Sequence, residues 1–250
     1  MQDIMGKIRF SKIRTLETGY NDAALNMAID EVILENVQET PILRIYGWSP
    51  VAVSIGYFQS MKEEVDLDKC NQIGVDVVRR LTGGGAVLHE SELTYSFITK
   101  EYPRNIMESY AWICEAVVMS LHRMGFDARF VPLNDIVIAG KKVSGNAQTR
   151  RNGILLQHGT LLLGVDVAKM FSVLRVPSEK LRDKIIKDAK ERVTSLTGTT
   201  FDELSLSLKA SFAIKFDANL VADNMSTEEI NRARWLAEQK YRSKDWNFRR

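Results

Sequence analysis

Cysteine is scarce in this chain, and its placement excludes several chemistries. Cys70 and Cys114 are its two cysteines, far apart and without CxxC or Cys/His spacing. That pattern argues against a zinc site or a disulfide framework and fits a reducing, cytoplasmic setting. Long apolar runs are missing too: nothing approaches the ~20 residues of a membrane span. Met1 to Phe10 has no apolar stretch of signal-peptide length. A net charge of only +2 argues against a protein that coats nucleic acid. Neither the P-loop pattern nor G-x-G-x-x-G occurs, so neither a P-loop nor a Rossmann site is indicated. Internal repeats, low-complexity tracts and linkers are absent as well.

What remains is a chain of 250 residues, 45% apolar and 26% charged, with enough apolar mass for a proper core. Residues 21–37 read as a helix with Asn21 or Asp22 as cap and Leu25, Ile29, Val32 and Ile33 on one stripe. Residues 41–48 and 51–57 read as strands hinged at Ser49-Pro50, and 66–71 as a short helix. Strands at 75–80 and 93–99 flank a glycine loop. A helix at 106–124 ends at Gly125. Strands follow at 128–131, 135–139, 142–144 and 154–163, with a tight hairpin at Gly140-Lys141. The remaining helices are 166–174, 178–191 capped by Ser178, 202–212 and 227–241. Thr227-x-x-Ile230 lacks the acidic partner of a capping box. Strands in bulk with helices between and after them predict an α+β layer fold.

Three segments carry the chemistry. In Arg79-Arg80-Leu81-Thr82-Gly83-Gly84-Gly85-Ala86, three glycines follow two arginines. Consecutive glycines suit a backbone that approaches a ligand closely, and guanidinium supplies charge for an anion. On a strand, neighbouring side chains point to opposite faces, so one arginine faces the ligand, and Arg80 is the expected one. In the second segment, Asn134 and Asp135 stand at the mouth of an apolar strand, and Lys142 opens the next. A lysine is a compact charge able to bridge an acyl carboxylate and a phosphate. Ser144, Gly145 and Asn146 leave room for a ligand. In the third, His158 stands in the apolar strand Gln157–Leu163 without an acidic neighbour, which predicts a lining role rather than a general base.

Taken together, RRLTGGGAVLHESELTYSF, NDIVIAGKKVSGNAQTR and ILLQHGTLLL, with ILRIYGWSPVAVSIGYFQ before and KYRSKDWNF after, resemble the lipoate–protein ligase A family of the biotin/lipoate ligase superfamily. The resemblance covers nearly the whole chain. It implies one catalytic domain over 1–250 with a C-terminal helix at 227–241. It implies a mixed sheet flanked by helices, similar to class II aminoacyl-tRNA synthetases and biotin ligases. ATP with Mg²⁺ would activate lipoate to lipoyl-AMP, and the acyl group would pass to a lysine of a lipoyl carrier domain. That carrier would be glycine cleavage H protein, a 2-oxoacid dehydrogenase E2 or a similar protein. Carried across by motif, Arg80, Gly83, Gly84, Gly85, Ala86, Val87, Leu88, Asn134, Asp135 and Lys142 would hold the nucleotide. Lys142, His158, His89, Tyr46, Gly145 and Ala147 would line the lipoate site, with Leu25 and Ile55 as further acyl contacts. Lys142 would be catalytic and Asp135 a metal ligand. A separate accessory subunit, in place of the domain that longer ligases carry, is a further expectation.

A related octanoyltransferase branch shares GYFQ, ELTYS, QTR, LQHG and the terminal KY…WN. It works through a cysteine thioester. The Gly-Gly-Gly-Ala form of the loop and the short connection from Phe130 to Asn134 favour the ligase over that branch, and Cys70 and Cys114 read as packing residues. A non-catalytic lipoate- or adenylate-binding protein is the remaining alternative. TGGGAVLH in place of an arginine-rich loop sets the chain apart from biotin ligases.

Overall fold

A computed structural model describes residues 8–176 and 182–250 of the chain. The predicted α+β layers are present. An eight-stranded mixed sheet has the order β11-β1-β2-β6-β10-β9-β8-β7, and a three-stranded sheet has the order β4-β3-β5. The large sheet is built from β1 (Lys12–Asn21), β2 (Ile42–Trp48), β6 (Glu92–Thr99), β7 (Ala128–Val131), β8 (Asp135–Ile138), β9 (Lys141–Arg151), β10 (Ile154–Leu162) and β11 (Asn219–Asp223). The small sheet holds β3 (Ala52–Ile55), β4 (Asp76–Arg79) and β5 (Val87–His89). Residues 41–57 therefore do not form one hinged pair. β2 and β3 belong to different sheets, and the turn at Ser49-Pro50 carries the chain from one to the other.

Period-two alternation sorts the large sheet into two faces. Leu43 and Ile45 of β2 and Leu93, Tyr95 and Phe97 of β6 pack on helices α4 (Ile106–Arg123) and α7 (Phe201–Phe216). Three rings pack together on this side: Phe97 stacks on Phe216 at 5.2 Å, and Trp112 meets Phe216 edge-on at 4.8 Å. The alternate residues Ile42, Tyr46, Trp48 and Ile98 face α1 (Ala23–Asn36), with α8 (Thr227–Leu236) beside it. This second face also bears Arg44, Thr94, Ser96, His158 and Thr160, and polar groups on it gather into the site described below.

The helix caps follow the local sequence. Asp22 caps α1 by accepting from the Leu25 backbone N–H. At α8, Ser226 rather than Thr227 is the cap, and Glu229 completes a capping box one residue out of the expected register. The predicted helix 227–241 divides into α8 and a π-helical turn, Ala237–Tyr241. Helix α5 spans Val167–Val173 and α6 spans Arg182–Arg192, while the Ser178 cap lies outside the described residues. Among the described residues, no helix is long and apolar enough to cross a membrane.

Candidate active site

A cavity of about 310 Å³ lies between the small sheet and the α1 face of the large sheet. Its size is at the lower end of small-molecule sites. Two rows of paired residues cross its floor. One runs Arg44–Ser96–His158–Ala147 and the next Tyr46–Thr94–Thr160–Gly145, over β2, β6, β10 and β9. Met27 of α1, Val87, Leu88 and His89 of β5 and the backbone of Gly84 and Gly85 help to close it.

Arg79 and Arg80 do point apart, and Arg80 is the one in the cavity wall. Arg79 is fully buried and donates to the carbonyls of Gly56, Tyr57, Gln59, Trp246 and Asn247, tying the C-terminal segment to the small sheet. Arg80 is also occupied. Its Nε donates to Thr82 Oγ1 at 3.1 Å, its Nη1 to the Ser54 carbonyl and Oγ, and its Nη2 to the Gly83 and Gly85 carbonyls at 2.7 and 2.8 Å. A guanidinium has five N–H donors, so these bonds account for all of them. Burial lowers the Arg80 pKa to about 10, which still leaves it charged at neutral pH.

Two arms leave Arg80, each a hydroxyl, a histidine and a carboxylate. In the first, Thr82 Oγ1 lies 2.7 Å from His158 Nε2, and His158 Nδ1 lies 3.3 Å from Asp30 Oδ2. Asp30 also accepts from Arg44 Nη1 at 2.6 Å, from Ser96 Oγ at 2.8 Å and from the Tyr46 hydroxyl at 3.2 Å. In the second, Ser54 Oγ lies 2.7 Å from His89 Nε2, and His89 Nδ1 lies 2.7 Å from Glu92 Oε1. A carboxylate only accepts, so each imidazole carries its proton on Nδ1 and takes a hydroxyl proton at Nε2. Burial is the largest influence on His158 and pushes its pKa below the ordinary value, against the pull of Asp30. Burial alone would raise the Asp30 carboxyl, but Arg44 and His158 outweigh it and hold the group below its usual value.

Lys142 is the cavity's accessible cation. Its side chain is 42% exposed, and its Nζ lies 2.7 Å from Asp135 Oδ1. Gly145 makes room for it, because a Cβ there would stand 2.9 Å from Lys142 Cε and Nζ. Asn134 and Asn146 lock β8 to β9 through reciprocal side-chain to carbonyl bonds. The cavity thus gathers Lys142, His158, His89, Tyr46, Gly145 and Ala147, together with Arg80, Asn134 and residues 84–88. Gly83 and Asp135 are not in its lining. Leu25, on α1, and Ile55, in the small-sheet core, are not in its lining. Among the described residues, no cluster of three or more His, Cys, Asp or Glu could hold a metal ion, and Asp135 faces Lys142 instead. Trp48, Thr94 and Glu92 were not expected. Glu92 heads a strand whose residues are all buried, a charged residue in an otherwise apolar and neutral run.

An α+β fold with a mixed sheet, a partly open and mostly apolar cavity and one accessible lysine defines an acyl-handling enzyme of the lipoyl ligase and transferase kind. The model of the lipoyl protein ligase A/B catalytic domain family matches residues 22–213, and the chain belongs to that family. An octanoyltransferase LipM from Kyrpidia tusciae is 36% identical, with 95% of this chain and 98% of that protein covered. The octanoyltransferase LipM of Bacillus subtilis is 34% identical with the same coverage. Among solved structures, the bi-partite lipoate protein ligase of Thermoplasma acidophilum superposes with a TM-score of 0.88 at 36% identity, over 96% of both chains.

These relatives correct the expected activity. The two LipM relatives, matched along nearly their whole length, are octanoyltransferases, which overturns ATP-dependent, AMP-forming activation of lipoate and the requirement for ATP and Mg²⁺. The nucleotide-holding role expected of Arg80, residues 83–88, Asn134, Asp135 and Lys142 falls with it. The glycine loop misled for a physical reason. A Cβ on Gly84, whose φ is +95°, would come 2.9 Å from Arg80 Nη2, and a Cβ on Gly56 would come 2.0 Å from the Gly84 carbonyl oxygen. Internal packing already requires these glycines, so they do not distinguish an adenylate from a thioester.

Proposed function

We propose that this enzyme transfers an octanoyl group from a carrier-bound thioester to the lysine of a lipoyl domain. The observation that carries the reading is the match to octanoyltransferases over 95% of this chain and 98% of their length. The same coverage leaves no part of those relatives to be supplied by an accessory subunit, and none enters the reading.

The cavity suits the reaction. Met27, Tyr46, Trp48, Leu88 and Ala147 offer an apolar wall to the acyl chain. At about 0.8 kcal/mol per buried CH₂, an octanoyl tail contributes about 5 kcal/mol, enough to hold the donor in place. Attack on the thioester carbonyl builds negative charge on its oxygen. Lys142, whose partly exposed ammonium is paired with Asp135, stabilises that charge. Arg80 acts at longer range, since its N–H groups are all engaged.

Neither cysteine lines the cavity. Cys70 lies in the core of the small sheet, and Cys114 lies on α4 behind the large sheet. Burial, aided by Asp66, pushes the Cys70 thiol up to about 11, and burial pushes the Cys114 thiol up to about 12. The acceptor amine therefore attacks the donor thioester directly. A C–N bond forms, the C–S bond breaks, and the carrier thiol is released.

The test is an incubation of purified protein with octanoyl-carrier thioester and a lipoyl domain, without ATP. One octanoyl group added to the domain lysine, read by mass spectrometry, is the expected result. Modification that appears only with free octanoate or lipoate plus ATP would overturn the reading.

A further inference from the structure

Glu92 holds an unexplained atom. The residue is 3% exposed and forms part of the cavity wall. Its Oε1 accepts from His89 Nδ1 and from Thr94 Oγ1, both at 2.7 Å. Its Oε2 is buried as well, yet it has no hydrogen-bond partner among the described residues. Buried carboxylate oxygens are almost always satisfied, because an orphan forfeits the hydrogen bonds it made to water. The matching carboxylate, Asp30, has both oxygens engaged.

The surroundings hold Glu92 firmly. Trp48 stacks on His89 at 3.9 Å with an interplanar angle of 13°. The Trp48 indole N–H donates to Thr94 Oγ1 at 2.8 Å, so the hydroxyl turns its own proton to Glu92. Among the described residues, no lysine or arginine pairs with Glu92. A firmly held carboxyl group in the cavity wall thus has one oxygen without a donor of its own, left for one that arrives with substrate.

We propose that Glu92 is a catalytic residue whose Oε2 receives a proton from the incoming lysine ammonium. The proposal rests on the acyl-transfer reading above. A free lysine has a pKa of about 10.4, so at pH 7 fewer than about one in a thousand is a neutral amine able to attack. The nitrogen enters with three hydrogens. One passes to Glu92 Oε2, which frees the lone pair for the carbonyl carbon. As the C–S bond breaks, a second passes to the departing thiolate, and the third stays on the amide. Glu92 then returns its proton to solvent, so one H⁺ is released per transfer.

The experiment compares two acceptors, the lipoyl-domain lysine and hydroxylamine, which is largely uncharged at pH 7 and needs no base. Glu92→Gln keeps an oxygen for His89 and Thr94 but removes the base. Its transfer to lysine falls about 10²–10⁴-fold, the range of general-base catalysis. Hydroxamate formation from the same thioester stays within about threefold, and KM for the donor is unchanged. An equal fall with both acceptors, or a raised donor KM, makes Glu92 a donor-positioning residue and overturns the proposal. So does an unimpaired rate with lysine. If wild-type protein yields neither amide nor hydroxamate without ATP, the acyl-transfer reading itself has failed, and this control separates the two failures.

Hydroxamate formation also reports whether the variant is folded. Should Glu92→Gln not fold, the wild-type pH profile decides. At saturating lipoyl domain, the rate levels off several units below the lysine pKa of about 10.4. A tenfold climb per pH unit up to that pKa would overturn the proposal.

Discussion

Asp30→Asn perturbs the buried centre of the first arm while keeping its shape. Arg44, fully buried, would lose the carboxylate 2.6 Å away. Its other partners are neutral: the Asn26 carbonyl and Oδ1, Thr18 Oγ1 and the face of Tyr46 at 3.7 Å. Removing one member of a buried ion pair costs about 3–5 kcal/mol, because the other charge stays in place. The neutral partners are present in both proteins and cancel in the difference. The four groups that donate to Asp30 lose part of their acceptor, which keeps the expected loss at no less than about 3 kcal/mol. Urea unfolding at pH 7 measures this as a lower ΔG at unchanged m. The pH dependence has a definite sign. Folded His158 has a lowered pKa, so below about 6.5 the unfolded chain takes a proton that the folded ring refuses, and stability falls. Asp30 is held below its usual value too, so its contribution is lost as pH drops further, from about 3.8 toward its folded pKa. Each group contributes a slope of at most about 1.4 kcal/mol per pH unit. Asp30→Asn keeps the upper window and loses the lower one. A variant within about 1 kcal/mol of wild type at pH 7, or a wild type that gains stability from pH 6.5 to 5.5, would refute this account.

Lys142→Ala should lower the rate of octanoyl transfer by about 10²–10³, as removal of a preorganised oxyanion donor does, while changing stability by no more than ~0.5 kcal/mol, since the side chain is 42% exposed. Steady-state kinetics beside urea unfolding separates the two. In the native protein, neither Cys70 nor Cys114 should react with a thiol reagent at pH 8, because both are buried with raised pKa values. Both should react in denaturant, and Cys70→Ala/Cys114→Ala should retain transfer. Rapid labelling of either thiol in the native protein would contradict the packing. Gly56→Ala should destabilise by about 1–3 kcal/mol in thermal unfolding and loosen the loop, since its Cβ would stand 2.0 Å from a backbone oxygen that cannot rotate away.

The interior strands and long helices were legible because burial imposes a period on them. β6 places Leu93, Tyr95 and Phe97 on one face and Thr94, Ser96 and Ile98 on the other. β1 and β11 carry no such pattern. β11 is an edge strand whose five residues include only Leu220 and no other group away from solvent, and backbone pairing with β1 holds it. Helix α1 conceals more. Asp30 and Glu31 are as buried as its apolar stripe, because Arg44, Lys240 and Tyr241 reach them from distant parts of the chain. The site lining was largely readable from the three motifs, but the occupation of each side chain was not. Arg80 reads as an anion ligand in sequence, yet its acceptors are carbonyls and hydroxyls that only the folded loop brings together.

The glycine loop is best understood as a ligand of Arg80. Two carbonyls only two residues apart, Gly83 and Gly85, converge on one nitrogen of the same guanidinium, which requires Gly84 at φ +95° with no Cβ beside Nη2. Of the remaining three N–H groups, two serve the hydroxyls that set both histidines in one tautomer and one serves the Ser54 carbonyl. A positive charge is thus fixed in a cavity wall, with Lys142 as the accessible cation and Glu92 as the carboxyl group with an unpartnered oxygen. A carbonyl gaining negative charge while an ammonium loses a proton needs opposite charges at two fixed points. The two arms supply that separation, because Asp30 is neutralised by Arg44 while Glu92 has no cation of its own. The asymmetry between two otherwise matching carboxylates favours directed proton transfer over a merely apolar pocket for the acyl chain.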